Sequence, residues 1–135
     1  MTGPTVKVRQ TVLDRAQMAC ERCGGPAYAG ALHHRRPRGM GGTRRRESNR
    51  PANLMLLCGE FSPGALSGCH ETVESQRRWA RMCGWLVSQH QDPAEVPVLT
   101  VWGWRLLDDA GGYVPVGVGD GEASAPAGNN LGGAA

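Results

Sequence analysis

The chain has 135 residues, of which 40% are hydrophobic, and carries a formal net charge of +3. This length indicates one domain with a small core, and such domains often depend on a metal or on disulfides. Residues 1–10 contain no apolar run typical of a signal peptide, and no segment approaches the roughly 20 apolar residues of a membrane helix. We therefore expect a cytoplasmic protein without a membrane partner, in which clustered cysteines bind a metal.

The charge is unevenly distributed along the chain. Residues 1–91 contain 14 of the 15 lysines and arginines but only 6 of the 12 acidic residues. Nearly all of the basic residues are arginines, whose planar guanidinium groups bind phosphate in a bidentate manner. This pattern indicates an anionic partner such as nucleic acid and says little about the fold.

In chain order, residues 1–10 are predicted to form a loose arm. "TVLDRAQMACERC" is typical of a helix capped by Thr11, and "ERCGG" ends it. "AYAGALHH" and "NLMLLC" are short apolar runs typical of strands, and the arginine-rich segment between them is a loop because of its prolines and glycines. "CHETVESQRRWARMCGWLVSQ" predicts a second helix that ends near Gly84.

The C-terminal part is predicted to be extended. "DDAGG" between "WGWRLL" and "YVPV" indicates a hairpin, and the four tryptophans are interpreted as large core residues. We thus expect an α+β fold: a main domain over residues 11–91, a β-rich extension over residues 92–118 that packs on it, and a disordered tail over residues 119–135.

The cysteines predict a structural zinc knuckle. Cys20 and Cys23 have the spacing of one half-site, and Cys58 and Cys69 lie where the second strand ends and the last helix begins. Two alternatives remain, namely four thiols without a metal, or a site that uses His33 or Cys83 instead. Cys83 itself is interpreted as a buried thiol.

Two adjacent histidines, His33 and His34, close the first predicted strand. Neighbouring side chains on a strand point to opposite faces, which favours two different functions over two ligands of one ion. One imidazole can bind a metal while the other, kept neutral, acts as a base. The alternative is a surface pair without a function.

Three segments together resemble the HNH endonucleases: "LHHRRPRGMGG", "NRPANLMLLC" and "GCHETVES". The cysteine pairs resemble the zinc-stapled branch of that family. "WGWRLLDDAGG" and the many arginines are similar to small HNH proteins carried by phages of actinobacteria. The resemblance covers residues 12–110, and its departure is the ten-residue gap between Cys58 and Cys69. It implies a small ββα-metal finger with a structural zinc.

The resemblance also implies the catalytic residues. His33 and His70 correspond to ligands of a catalytic divalent metal, Mg²⁺ or Mn²⁺, with Ni²⁺ or Zn²⁺ as further candidates. His34 corresponds to the general base, and Asn53 to the asparagine that braces the loop and orients that base. Glu74 lies one helical turn after His70 and is a third candidate ligand, the alternative being a solvated carboxylate.

The arginines next to these motifs are predicted to contact DNA phosphates, which gives affinity without sequence information. The alternative is a solvated charged loop. The candidate DNA-binding residues are Arg35, Arg36, Arg38, Arg44, Arg45, Arg46, Arg50, Arg77 and Arg78.

The residues together with the resemblance predict a metal-dependent HNH endonuclease that nicks or cuts DNA, and the resemblance implies that it is phage-encoded and acts in the host cytoplasm. DNA is the expected partner, and the resemblance adds a link to DNA packaging with the phage terminase as a candidate partner. The alternatives are a zinc-knuckle DNA-binding module without catalysis and an adaptor of the packaging machinery.

Overall fold

The computed structural model describes residues 3–27, 30–37, 46–59 and 68–116. Within these ranges it confirms the predicted α+β class, with three α-helices and two antiparallel sheets. The helices and strands in chain order are α1 (Val6–Ala16), β1 (Ala31–His34), β2 (Leu54–Leu57), α2 (Cys69–Ser75), α3 (Arg77–Met82), β3 (Val98–Thr100), β4 (Gly103–Leu107) and β5 (Tyr113–Pro115). Short 3-10 helices span Arg46–Asn49, Pro51–Asn53 and Pro93–Glu95.

The predicted disordered tail lies outside the described residues. None of the helices in the described ranges has the length and apolar character that a bilayer crossing requires.

Helix α1 begins at Val6, so the predictions that residues 1–10 form a loose arm and that Thr11 caps the helix are wrong. The N-cap is Thr5, whose hydroxyl accepts a backbone hydrogen bond of 3.1 Å in the first turn. Thr11 lies inside the helix, where its hydroxyl donates to a carbonyl of the preceding turn. The helix ends at Ala16, before the first cysteines, because the next residue has a left-handed φ of 56°.

Strands β1 and β2 form the antiparallel pair that carries the histidines. His33 lies opposite Met55 and His34 lies opposite Leu54. All four residues of β2 are fully buried, as expected for a compact apolar strand beneath a helix. His33 is 1% exposed, whereas His34 at the end of β1 is only half-buried.

The segment predicted as one helix after Cys69 is divided into α2 and α3 at Gln76. There the backbone leaves the helical region, with φ of −105° and ψ of 61°. The break directs α3 so that the ring of Trp79 packs edge-on against Trp85, with centroids 5.2 Å apart. The predicted end near Gly84 is confirmed, since α3 stops just before this residue.

The C-terminal sheet has the order β3-β4-β5 and confirms the predicted hairpin at "DDAGG". The Asp108 carboxylate stabilises the turn by accepting hydrogen bonds from the amides of Ala110 and Gly112, at 3.0 and 2.8 Å. The tryptophans are only partly core residues. Trp85 is fully buried, but Trp102 is 43% exposed.

A buried ion pair connects α1 to both sheets. Arg15 Nη2 lies 2.8 Å from Glu21 Oε1, and both side chains are shielded from solvent. The Glu21 carboxylate also accepts hydrogen bonds from the Leu56 amide and the Tyr113 hydroxyl. Because the carboxylate has these additional donors, the cost of burying its charge is compensated. The network fixes the turn after α1, where the first two cysteines lie.

Candidate metal centres and active site

Four cysteines from three parts of the chain meet beside the end of β2. Cys20 and Cys23 lie in the turn after α1, Cys58 directly follows β2, and Cys69 is the first residue of α2. Their sulfur atoms all lie within 4.8 Å of one another. The predicted convergence of these four residues is therefore confirmed, and the ten-residue gap does not prevent it.

The cluster has the dimensions of a tetrahedral zinc site. Thiolates bound at about 2.3 Å from one zinc ion lie about 3.8 Å apart, and Cys23 Sγ is 3.8 Å from Cys58 Sγ. The amides of Cys23 and Gly25 donate to the sulfurs of Cys20 and Cys23, both at 3.4 Å. Such outer donors orient metal ligands. The four cysteines could thus hold a metal ion such as zinc.

A buried arginine adds positive charge beside the thiols. Arg22 Nη1 donates to Cys69 Sγ at 3.2 Å, and its guanidinium lies 5.0 Å and 4.7 Å from the ring centroids of Trp79 and Trp85. The neighbouring Cys69 thiol, together with burial, raises the pKa of Cys20 above its ordinary range. Divalent cations reverse this balance because they bind the thiolate form. Sequence reasoning missed Arg22, since only the fold brings it to Cys69.

The alternative ligands considered from the sequence do not belong to this cluster. Cys83 is fully buried, and burial raises its pKa to about 11, as expected for an unreactive thiol. This confirms its interpretation as a buried cysteine. His33 belongs to a second group of ligand-type side chains.

This second group combines one strand residue with two helix residues. His33 from β1 and His70 and Glu74 from α2 place their ligand atoms within 4.8 Å of one another. His33 Nδ1 is 3.4 Å and His70 Nε2 is 3.8 Å from Glu74 Oε2. Residues four apart on a helix reach the same side, which explains the last contact. Glu74 is half exposed, yet it lies beside both histidines.

His33 is held in the form that a metal ligand requires. Its Nε2 is 2.7 Å from the carbonyl oxygen of Trp85, which can only accept, so Nε2 carries the proton. The lone pair then resides on Nδ1, the atom closest to Glu74. Burial lowers the pKa of His33 to about 4, so the ring is neutral at neutral pH.

Both adjacent histidines border one open cavity of about 360 Å³. They differ in exposure, as the strand alternation predicts, but His34 ends β1 and still reaches the cavity. The lining residues are Leu32, His33, His34, Pro37, His70, Glu74 and Arg77. A ligand-type histidine and a half-buried histidine outside the ligand cluster therefore share one cavity.

Asn53 braces the segment that follows β1. Its Oδ1 accepts from the Arg36 amide at 2.7 Å, and its Nδ2 donates to the Ser48 carbonyl at 2.9 Å. The His34 ring is contacted by another side chain, since Asn49 Oδ1 lies 2.9 Å from His34 Nε2. Sequence reasoning missed Asn49, because it precedes the motif asparagine in a segment without regular periodicity.

Two predicted DNA contacts are wrong because the fold uses the arginines internally. Arg35 is fully buried and donates to four backbone carbonyls at 2.7 to 3.0 Å. Arg36 is 8% exposed and donates to a carbonyl at 3.0 Å. Arg50 is partly buried and pairs with Asp92 and Asp109. These guanidinium groups hold the C-terminal segment against the site.

Among the candidate DNA-binding arginines whose side chains are described, the exposed ones lie on α3. Arg77 borders the cavity, with Nη1 3.6 Å from Glu74 Oε1, and Arg78 is exposed next to it. Three further candidate DNA-binding residues, Arg38, Arg44 and Arg45, lie outside the described residues. For Arg46 the backbone is described but the side chain is not.

Comparison of the chain with protein-family models, with curated proteins and with solved structures gives no match. The resemblance to HNH endonucleases therefore rests on the quoted motifs. The function is inferred from the cavity and the residues that line it.

Proposed function

We propose that the chain is a metal-dependent HNH endonuclease that hydrolyses DNA phosphodiester bonds. The observation that carries this proposal is the cavity in which His33, His70 and Glu74 lie together beside His34. Strands β1 and β2 followed by α2 then correspond to the ββα-metal finger of that family. In this interpretation the cysteine cluster holds a structural zinc that connects the ends of the finger.

His33, His70 and Glu74 are the candidate ligands of the catalytic cation. Two imidazoles and one carboxylate leave positions for water and substrate, which suits Mg²⁺ or Mn²⁺, and imidazole donors also favour Ni²⁺ or Zn²⁺. The ligand set fits a cation because His33 is neutral and its Nδ1 lone pair lies among the other two donors. Such a cation supplies positive charge to the phosphate and to the leaving oxygen.

His34 is the candidate general base. It borders the cavity without belonging to the ligand cluster, so its imidazole is available for proton transfer. Water gives a proton to this ring while its oxygen forms a new bond to phosphorus. The bond from phosphorus to the leaving sugar oxygen breaks, and that oxygen takes a proton from solvent.

The charge at the cavity supports DNA as the substrate. Arg77 borders the cavity, and Arg78 and Arg81 are exposed on the same helix, where they can contact backbone phosphates. Contacts of this kind carry no sequence information, so we expect weak sequence preference. The link to DNA packaging and to the phage terminase stays a prediction from the resemblance.

The second candidate is a DNA-binding module without catalysis. The cysteine cluster and the exposed arginines of α3 would serve such a module equally well. The convergence of His33, His70, Glu74 and His34 on one cavity would then have no function, and for this reason the nuclease is preferred. A packaging adaptor would instead use the C-terminal sheet, where Trp102 is 43% exposed.

The test is nicking of supercoiled plasmid DNA with added Mg²⁺ or Mn²⁺. His34→Ala is compared with the wild type and with His90→Ala, a matched control because His90 is exposed and does not line the cavity. We expect metal-dependent nicking by the wild type and the control, and a loss of about 100-fold or more in His34→Ala at unchanged zinc content. Salt-sensitive DNA binding without cutting by any of the three proteins would select the binding module.

A further inference from the structure

Asn49 contacts the imidazole that is assigned as the general base. Its Oδ1 lies 2.9 Å from His34 Nε2. An amide oxygen can only accept a hydrogen bond, so the proton of the neutral His34 ring resides on Nε2. The lone pair then resides on Nδ1, which is the nitrogen able to take a proton from water.

The backbone that carries Asn49 is fixed on both sides. The carbonyl of the preceding residue, Ser48, accepts a hydrogen bond of 2.9 Å from Nδ2 of the fully buried Asn53. The following residue, Arg50, pairs with two aspartates of the C-terminal segment. Asn49 ends the 3-10 helix between these two anchors, so its amide is presented to His34 by a braced segment.

We propose that Asn49 is a positioning residue that holds His34 as the Nε2–H tautomer, so that Nδ1 accepts the proton of the attacking water. The catalytic part of this inference rests on the proposed nuclease function, whereas the tautomer is a property of the protein alone. Two duties are thereby separated: Asn53 braces the loop and Asn49 orients the ring. A ring without this acceptor samples both tautomers, and only one of them has Nδ1 as the base.

Two substitutions of similar shape separate positioning from packing. Asn49→Leu removes the acceptor at similar volume, whereas Asn49→Asp keeps an acceptor oxygen in the same place. Long-range proton–nitrogen NMR spectra of the imidazoles report the tautomer. They are recorded about two pH units above the ordinary histidine pKa of about 6.5, and the His34 signals are identified by their loss in His34→Ala.

We expect His34 to be the Nε2–H tautomer in the wild type and in Asn49→Asp, and a mixture of tautomers in Asn49→Leu. Zinc content and circular dichroism serve as controls for folding. If Asn49 had a purely structural role, its substitution would destabilise the protein and leave the His34 tautomer unchanged. The proposal is overturned if wild-type His34 carries its proton on Nδ1, a result that does not depend on any variant folding, or if Asn49→Leu retains the Nε2–H tautomer.

Cleavage kinetics give a second readout. Because a general base contributes roughly 100- to 10,000-fold, Asn49→Leu is expected to lower kcat by about tenfold or more. KM should change by less than about twofold, since the substrate contacts are intact, and Asn49→Asp should lose less than Asn49→Leu. If the wild type cuts DNA and Asn49→Leu cuts it equally fast, Asn49 does not position His34, and the proposed nuclease function is retained. If the wild type does not cut DNA with any added metal ion, the proposed nuclease function is rejected, and the His34 tautomer has no catalytic use.

Discussion

Replacing Arg35 with methionine is expected to remove a large part of the stability of the protein while leaving the DNA affinity of the folded fraction unchanged. The guanidinium is fully buried and donates to the carbonyls of Ala52, Gly84, Pro93 and Val96. These carbonyls come from the segment before β2, the turn after α3 and the segment before β3. One side chain therefore joins three parts of the fold next to the candidate active site.

The magnitude follows from these four hydrogen bonds. A hydrogen bond to a charged group contributes about 1.5–3 kcal/mol, and a buried carbonyl left without a donor costs about 1–3 kcal/mol. Removing the arginine also removes the cost of burying its charge, which is several kcal/mol. The balance resembles the loss of one partner from a buried charged network, about 3–5 kcal/mol. Small domains have only about 5–15 kcal/mol in total.

The assay is urea unfolding followed by tryptophan fluorescence, since Trp85 is fully buried and its indole donates to the Leu99 carbonyl. Arg77→Met is the matched control, because this arginine is 47% exposed and its ion pair is with a half-exposed Glu74. The control should unfold within about 1 kcal/mol of the wild type but bind DNA more weakly. If Arg35→Met keeps its free energy of unfolding within about 1 kcal/mol of the wild type and loses DNA affinity, Arg35 is a DNA contact and not an internal brace.

The cysteine cluster, the buried histidine and one glycine give further expectations. Elemental analysis should find less than one zinc ion per chain in Cys58→Ser and one zinc ion per chain in the control Cys83→Ser. Equal zinc contents in the two variants would argue against a four-cysteine site. Burial lowers the pKa of His33 from 6.5 to about 4, so below pH 6.5 the unfolded chain binds a proton that the folded chain does not. The free energy of unfolding should therefore fall by about 3 kcal/mol as the pH drops from 6.5 to 4, with no contribution above 6.5. His33→Asn should lack this part of the pH dependence in urea titrations, and equal pH slopes would contradict the shift. Gly84→Ala should lower the free energy of unfolding by more than about 2 kcal/mol. The reason is that φ of this residue is +76° and the new Cβ would lie 2.0 Å from the Pro97 carbonyl oxygen. An unchanged midpoint of urea unfolding would contradict this expectation.

The parts of the site that the sequence predicts correctly depend on short-range geometry. Cys20 and Cys23 are constrained by their spacing, and two residues four apart on a helix, such as His70 and Glu74, share one side. The apolar run of β2 predicts a buried strand, and Cys58 is therefore expected directly after the end of that strand. Each of these inferences needs only one element and its immediate neighbours.

The features that the sequence does not reveal depend on distant partners. Arg35 belongs to an arginine-rich segment, and nothing local distinguishes it from arginines that contact solvent or phosphate. Its acceptors come from residues up to 61 positions away. The predicted start of α1 is too late because Thr5 and Thr11 both offer a hydroxyl for capping.

In the proposed nuclease, the arrangement around Glu74 would connect metal binding to DNA binding. One carboxylate oxygen lies beside His33 and His70, and the other lies 3.6 Å from Arg77 Nη1. A cation bound by the three candidate ligands would draw the negative charge of this carboxylate and weaken its ion pair with the guanidinium. Arg77 would then be available to a phosphate at the border of the cavity, which His34 also lines. Cation and phosphate are therefore expected to bind cooperatively, and this coupling needs no movement of the backbone because a single half-exposed side chain faces both partners.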